Sequence, residues 1–145
     1  MKISTRGRYA LRVMIELAKA EPGEYISLNS LSEKQSISHK YLEQIVPTLT
    51  RNRLVKAIRG NKGGYALIKK PEEITVGDIL RSTEGNLAPV PCLEYEENTC
   101  EKAPYCTTLK IWTGLYDTVN KYLDGITLQQ IIDDMQEQSS DNYCI

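Results

Sequence analysis

Cys92, Cys100 and Cys106 fall in the spacing C-x7-C-x5-C, on a stretch that also carries Pro89, Pro91 and Pro104. The thiolate is the metal-binding form of cysteine, and several thiolates on one pliable loop can converge on a single centre. Sulfur-rich tetrahedral sites select zinc or iron–sulfur clusters. The spacing has neither the C-x2-C pairs of structural zinc sites nor the run of a ferredoxin. The competing reading is a set of free thiols on a surface loop. Cys144 reads as an ordinary cysteine of the tail.

A second set of residues suits nucleic-acid recognition. Leu42, Ile45, Val46 and Leu49 form one apolar stripe, which predicts a helix over residues 39–51. Ser38 at its start and His39, Lys40, Glu43, Gln44, Thr48 and Arg51 on its other face are the polar set. In the major groove Gln pairs bidentately with adenine, and Glu accepts from the cytosine amino group. Pro47 lies inside this helix and predicts a kink near Glu43, since the stripe continues to Leu49. Arg59, Asn61 and Lys62 sit on or beside a glycine-rich turn at 60–64, within reach of phosphates or the minor groove. Arg6, Arg8, Arg51 and Lys56 are further candidates for backbone contacts. No enzyme is expected. The 60–64 turn lies between strands rather than opening a helix, so it is no phosphate loop. The sole histidine, His39, has no acid–base partner in view.

The elements around these residues follow from periodicity and capping. A helix is predicted over 5–20, with Ala10, Val13, Met14, Leu17 and Ala18 inward, Ser4 or Thr5 as cap, and Pro22-Gly23 as stop. Ser27 caps a short second helix with Leu28 and Leu31 inward, and Ser36-Ile37-Ser38 turns into the third. Residues 54–59 and 65–68 read as the strands of a hairpin with a basic tip. Thr75 caps a helix to about residue 83 that buries Val76, Ile79 and Leu80. Residues 85–106 show no period, and a loop of that length is usually functional or disordered. A long helix is predicted over 107–124. In it Trp112, Leu115, Val119 and Tyr122, continuing to Ile126, step alternately by three and four, the seam of a coiled-coil-like contact. Gly125 closes it. Thr127 and Gln130 make a capping box for a short last helix with Leu128, Ile131, Ile132 and Met135 inward, and the polar residues 136–145 are expected to fray. The expected fold is mainly α with a small β-hairpin. A winged helix-turn-helix spans 1–84, a cysteine loop 85–106, and a dimerisation helix with tail 107–145.

The chain has 145 residues, 41% hydrophobic and 26% charged, ordinary proportions for a soluble globular protein. No apolar run reaches the roughly 20 residues of a membrane span. The start of the chain has no apolar core like that of a signal peptide, so the reducing cytoplasm is the expected location. The net charge of −1 hides a segregation. Residues 1–70 hold 14 Lys+Arg against 5 Asp+Glu, and residues 71–145 hold 4 against 14. A basic first half joined to an acidic second half fits a nucleic-acid-binding module with an appended unit. The alternative is a winged helix used as a protein-interaction platform.

Several stretches, taken in order, resemble the Rrf2 family of bacterial winged-helix regulators. They are Met1-Lys2-Ile3-Ser4-Thr5-Arg6-Gly7-Arg8-Tyr9, Tyr41-Leu42-Glu43-Gln44, Leu54-Val55, Arg59-Gly60, Gly63-Gly64-Tyr65, Thr75-Val76-Gly77-Asp78-Ile79, Trp112 and Ile126-Thr127-Leu128. The resemblance spans about residues 1–135. It implies a homodimer joined through the long helix, bound to a palindromic operator in double-stranded DNA, and it implies no membrane. It makes Cys92, Cys100 and Cys106 the ligands of an iron–sulfur cluster that shifts DNA binding, and it matches Glu43, Gln44 and Arg59 to DNA-reading positions. The implied function is a transcriptional regulator, foremost a repressor, of iron–sulfur assembly or cysteine-supply genes. The alternatives are a cysteine-metabolism regulator or interaction module without a cluster, and a nitric-oxide sensor. Where cluster-binding members carry a histidine three residues after the last cysteine, this chain has Leu109. The fourth ligand is left open among Glu94, Glu96, Glu97, Glu101, Cys144 and a small thiol, with a 2Fe–2S cluster expected ahead of 4Fe–4S.

Overall fold

A computed structural model describes residues 1–143; Cys144 lies outside them. Six helices and one two-stranded sheet run in the order α1 (Thr5–Ala18), α2 (Leu28–Gln35), α3 (His39–Arg51), β1 (Val55–Ile58), β2 (Gly64–Leu67), α4 (Val76–Glu84), α5 (Leu109–Asp124) and α6 (Leu128–Asp141). This is the expected mainly helical class with a hairpin. The helix starts are set by hydroxyl caps. Ser4 accepts from Gly7 N–H, Ser27 from Ser30 N–H and Ser38 from Tyr41 N–H, satisfying donors that the first turn of a helix leaves free. Thr75 with Asp78, and Thr127 with Gln130, form full capping boxes. Ser36 takes a left-handed conformation (φ 53°) that ends α2 and turns the chain toward α3. Pro47 does not end α3, which runs on to Arg51.

α1 is the central element, in contact with α2, α3, α4, α6 and the hairpin. Its Ala10, Val13, Met14 and Leu17 are buried with Leu31 of α2, Leu42, Ile45 and Leu49 of α3, Val55 of β1 and Leu128 of α6. The strands pair antiparallel, Val55 opposite Leu67 and Ile58 opposite Gly64. Ile26 adds a third partner: it exchanges both backbone hydrogen bonds with Tyr65 at 2.8 and 2.9 Å. The hairpin is thereby docked on the segment leading into α2. Gly64 makes this approach feasible, because a Cβ there would lie 2.5 Å from the Ile26 carbonyl oxygen.

A second cluster, Val76, Leu80 and Leu87, seats α5 through Tyr116 and Leu123. Arg81 of α4 reinforces it, donating to Asn120 Oδ1 at 3.0 Å and pairing with Asp124. α6 differs from expectation. It stays helical to Asp141, and Met135, expected inward, is exposed because the last turns of α6 run past the end of α1 at Ala18 and Lys19. Residues 85–108 form the long connection, with single 3-10 turns at Pro91–Leu93 and Ala103–Tyr105. Among the described residues no helix is long and apolar enough to cross a membrane.

One buried charge fixes the angle between α1 and α2. Glu16 accepts from Lys19 Nζ and Gln35 Nε2, both at 2.9 Å, and pairs with Lys34 at 3.3 Å. Gln35 in turn accepts from Arg12 Nε at 3.1 Å. Burial pushes the Glu16 carboxyl up, but the bonds and charges of the two lysines outweigh it and hold it below the ordinary range. A depressed carboxyl contributes stability that is present above its unfolded pKa and is lost as pH falls through the folded one. Glu16→Gln is therefore expected to destabilise the fold by about 1–2 kcal/mol at neutral pH. That penalty should shrink as pH falls below the ordinary carboxylate range and vanish once pH is below the depressed folded-state value. Urea unfolding at pH 7 and in acid, variant against wild type, measures both.

Candidate functional site

Ser38, His39, Lys40, Glu43, Gln44 and Arg51 are exposed on α3, as expected of a groove-facing surface. The Ser38 hydroxyl is committed to its cap at 3.2 Å from Tyr41 N. The thirteen residues of α3 span roughly 20 Å, so Arg51 lies at the far end from His39, on the backbone side of any groove the helix enters.

Thr48 is the exception, and its place on the open face is corrected. It is buried, and its hydroxyl is taken by the Arg6 guanidinium. The same guanidinium nitrogen lies 3.5 Å from the Gln44 carbonyl oxygen. Arg6 thus reaches from the first turn of α1 across to α3, a role the sequence did not disclose because the partner is a turn of another helix.

Arg59, Asn61 and Lys62 are exposed at the hairpin tip. Lys56, lower on β1, lies over the Tyr25 ring at 5.9 Å to the centroid. Two recognition elements, α3 and the wing, thus stand on one core, and the Ile26–Tyr65 pairing fixes the wing relative to α2.

The three cysteines among the described residues are free thiols. Cys92 is half-buried in the first 3-10 turn, while Cys100 and Cys106 are exposed. Cys106 ends the second 3-10 turn, its Sγ 3.5 Å from the Thr108 hydroxyl. That hydroxyl, then the Thr108 and Leu109 backbone N–H groups at the start of α5, hold the Cys106 thiol below the usual thiol range. Among the described residues no three Cys, His, Asp or Glu side chains converge as a metal site, so the structure does not bring Cys92, Cys100 and Cys106 together. The donor chemistry nevertheless suits a soft metal centre. The recorded hydrogen bonds of the loop, such as Cys100 N–H to Asn98 Oδ1 and Ala103 N–H to Cys100 O, are local, so gathering the thiols breaks no long-range bond.

On α5, Leu115 and Tyr122 are 40% and 68% exposed, while Trp112 and Val119 are half-buried. Ile111, outside the expected seam, is 61% exposed. The open stripe is centred on Ile111, Leu115 and Tyr122, and no residue of α5 is fully buried. The 4-3-4 steps from Ile111 through Thr118 were present in the sequence beside those from Trp112.

Residues 3–134 match the Rrf2 family model, described as an iron-dependent transcriptional regulator. The chain is 44% identical to the HTH-type transcriptional regulator CymR of Bacillus subtilis, over 90% of this chain and 89% of that one. It is 34% identical to the regulator IscR of Aliivibrio salmonicida, over 100% and 86%. The solved structure of T. potens IscR superposes with a TM-score of 0.75 at 33% identity, covering 95% of this chain and 90% of that one. With a family match over nearly the whole chain, and a solved relative that superposes over most of it, this chain belongs to the Rrf2 family of DNA-binding transcriptional regulators.

Proposed function

We propose that this regulator binds a palindromic operator as a homodimer, and that Cys92, Cys100 and Cys106 hold an iron–sulfur cluster that sets its DNA affinity. The observation that carries the reading is the place of the cysteine loop. Three free thiols, two of them exposed, lie on the connection between the DNA-binding module and α5, whose apolar stripe has no cover among the described residues. Glu43 and Gln44 are the residues aimed at bases, and Arg59, Asn61 and Lys62 at the flanking phosphates or minor groove. A bound iron–sulfur cluster would supply a centre sensitive to oxidants and to iron–sulfur supply. The three thiolates would be its ligands, with the fourth from Glu94, Glu96, Glu97, Glu101, Cys144 or a small thiol, and 2Fe–2S ahead of 4Fe–4S. The genes of iron–sulfur assembly or cysteine supply are the fitting targets, under repression.

Protein purified without oxygen and assayed for iron, sulfide and zinc tests this. Equal iron and sulfide are expected, lost in Cys92→Ala, Cys100→Ala and Cys106→Ala while helix content and dimer size are kept. Colourless protein after reconstitution, or zinc alone, overturns the cluster. One observation favours a second reading. The solved structure of CymR, the global cysteine regulator of B. subtilis, superposes with a TM-score of 0.73 at 41% identity. In a cysteine-responsive, cluster-free regulator the three alanine variants would keep wild-type operator affinity, and no iron or sulfide would be found.

A further inference from the structure

The root of the cysteine loop and the first residues of the chain line one small cavity, shared by Lys2, Ile3, Glu84, Leu87 and Glu94. Leu87 is buried there, packed in the cluster that includes Ile3. Glu84 is the last residue of α4, immediately before the loop. Its Oε1 accepts from the Ser4 hydroxyl at 2.6 Å and from the Ser4 N–H at 3.1 Å. Ser4 is the cap of α1, so the Glu84 carboxylate sits at the positive end of that helix, where a negative charge is favoured. The approach is close enough that a Cβ on residue 7 would overlap Glu84 Oε1, which accounts for Gly7. Arg6, in the same first turn, is the residue that engages the Thr48 hydroxyl and lies against the Gln44 carbonyl. The loop root is therefore joined to α3 in two steps: Glu84 holds Ser4 at the cap of α1, and Arg6, in the helix turn that Ser4 caps, holds Thr48 and Gln44.

We propose that Glu84 is a positioning residue for the recognition helix, and that rearrangement of the cysteine loop reaches the DNA-reading face through Glu84, Ser4 and Arg6. The second half of this rests on the loop being the sensor. With Glu84 on Ser4, the start of α1 is pinned and Arg6 holds α3 at Thr48 and Gln44. With Glu84 drawn away by the loop, the Ser4 N–H turns to water, and the first turn of α1 is free to shift with Arg6. The two arrangements differ in the seating of Gln44, so a ligand of the loop that favours one of them biases DNA affinity.

A double-mutant cycle tests it, using the full chain and a duplex selected by the wild-type protein from a random pool. Glu84→Ala and Arg6→Ala are each expected to weaken binding about 5-fold, and together by no more than about 10-fold, because they cut the same line. Arg8 is the control: it is also on the first turns of α1, but among the described residues its guanidinium donates to Thr5 of its own helix, at 2.9 Å, and not to α3. Arg8→Ala should combine multiplicatively with Glu84→Ala. Glu84→Gln, whose amide oxygen still accepts from Ser4, should restore affinity to within about 2-fold. Thermal unfolding of each variant separates loss of fold from loss of positioning, since a merely structural Glu84 would couple to Arg6 and Arg8 alike. In Glu84→Ala the ratio of affinities between iron–sulfur-loaded and cluster-free protein should fall toward one, while Arg8→Ala keeps it. A multiplicative Glu84/Arg6 double variant, or wild-type affinity in Glu84→Ala, overturns the proposal. Absence of iron and sulfide in the wild type would instead defeat the cluster reading, and the Arg6 cycle would still decide whether Glu84 positions α3.

Discussion

Leu115→Asp is expected to convert the protein from dimer to monomer at micromolar concentration, and to weaken operator binding by about 100-fold or more. The argument starts from what α5 leaves uncovered. One side of the helix is spent within the chain, Tyr116 and Leu123 against the cluster of α4 and Leu87, and Asn120 and Asp124 on Arg81. The other side presents Ile111, Leu115 and Tyr122 to water, without cover among the described residues. An apolar helical stripe of this kind is stabilised by a second copy packed at coiled-coil spacing. In a two-fold interface one substitution places two carboxylates in the same apolar contact, each costing several kcal/mol without a partner. Operator affinity falls when the dimer is lost, because the second half-site is then no longer bound intramolecularly. Leu115 belongs to neither core cluster, so circular dichroism should show unchanged helix content. Sedimentation equilibrium gives the mass. A variant that stays dimeric would move the interface off α5.

Most helix starts were legible in the sequence because they rest on single side chains. Ser27, Ser38, Thr75 and Thr127 each cap the helix expected of them, since a hydroxyl at that position answers a local need of the backbone. The hairpin was legible for the same reason, two short apolar runs around a glycine-rich turn. The far end of α6 was not. Its polar residues offer no apolar period, and the helix continues through local bonds such as Ser139 Oγ to the Met135 carbonyl at 2.9 Å. Thr48 was misplaced because its cover comes from Arg6, 42 positions away. Leu87 went unremarked inside a stretch without period, yet it is the residue that anchors the loop root. For the cysteines, residue type and spacing were legible, while convergence depends on how a loop of local turns closes.

Gln44→Ala is expected to weaken binding to a selected duplex by about 10-fold or more, with little change on a scrambled one. Arg59→Ala should weaken both equally and, because the proposed dimer carries two copies, lower the slope of log affinity against log salt by about 1.8. The difference follows from position. Gln44 stands exposed mid-way along α3, with its backbone held by Arg6, so in the proposed complex its amide would meet base edges from a fixed helix turn. A bidentate amide–adenine pair discriminates between bases, and its loss leaves phosphate contacts intact. Arg59 instead follows β1 at the root of the wing turn, on an exposed and basic tip. A charge there releases counterions from any sequence, so its removal changes affinity and salt dependence without changing choice. Titrations of both duplexes at three salt concentrations separate the two behaviours. If Gln44→Ala weakened the selected and scrambled duplexes alike, α3 would be acting as a backbone clamp. Base readout would then have to come from the wing, where Asn61 is the residue with an amide to offer.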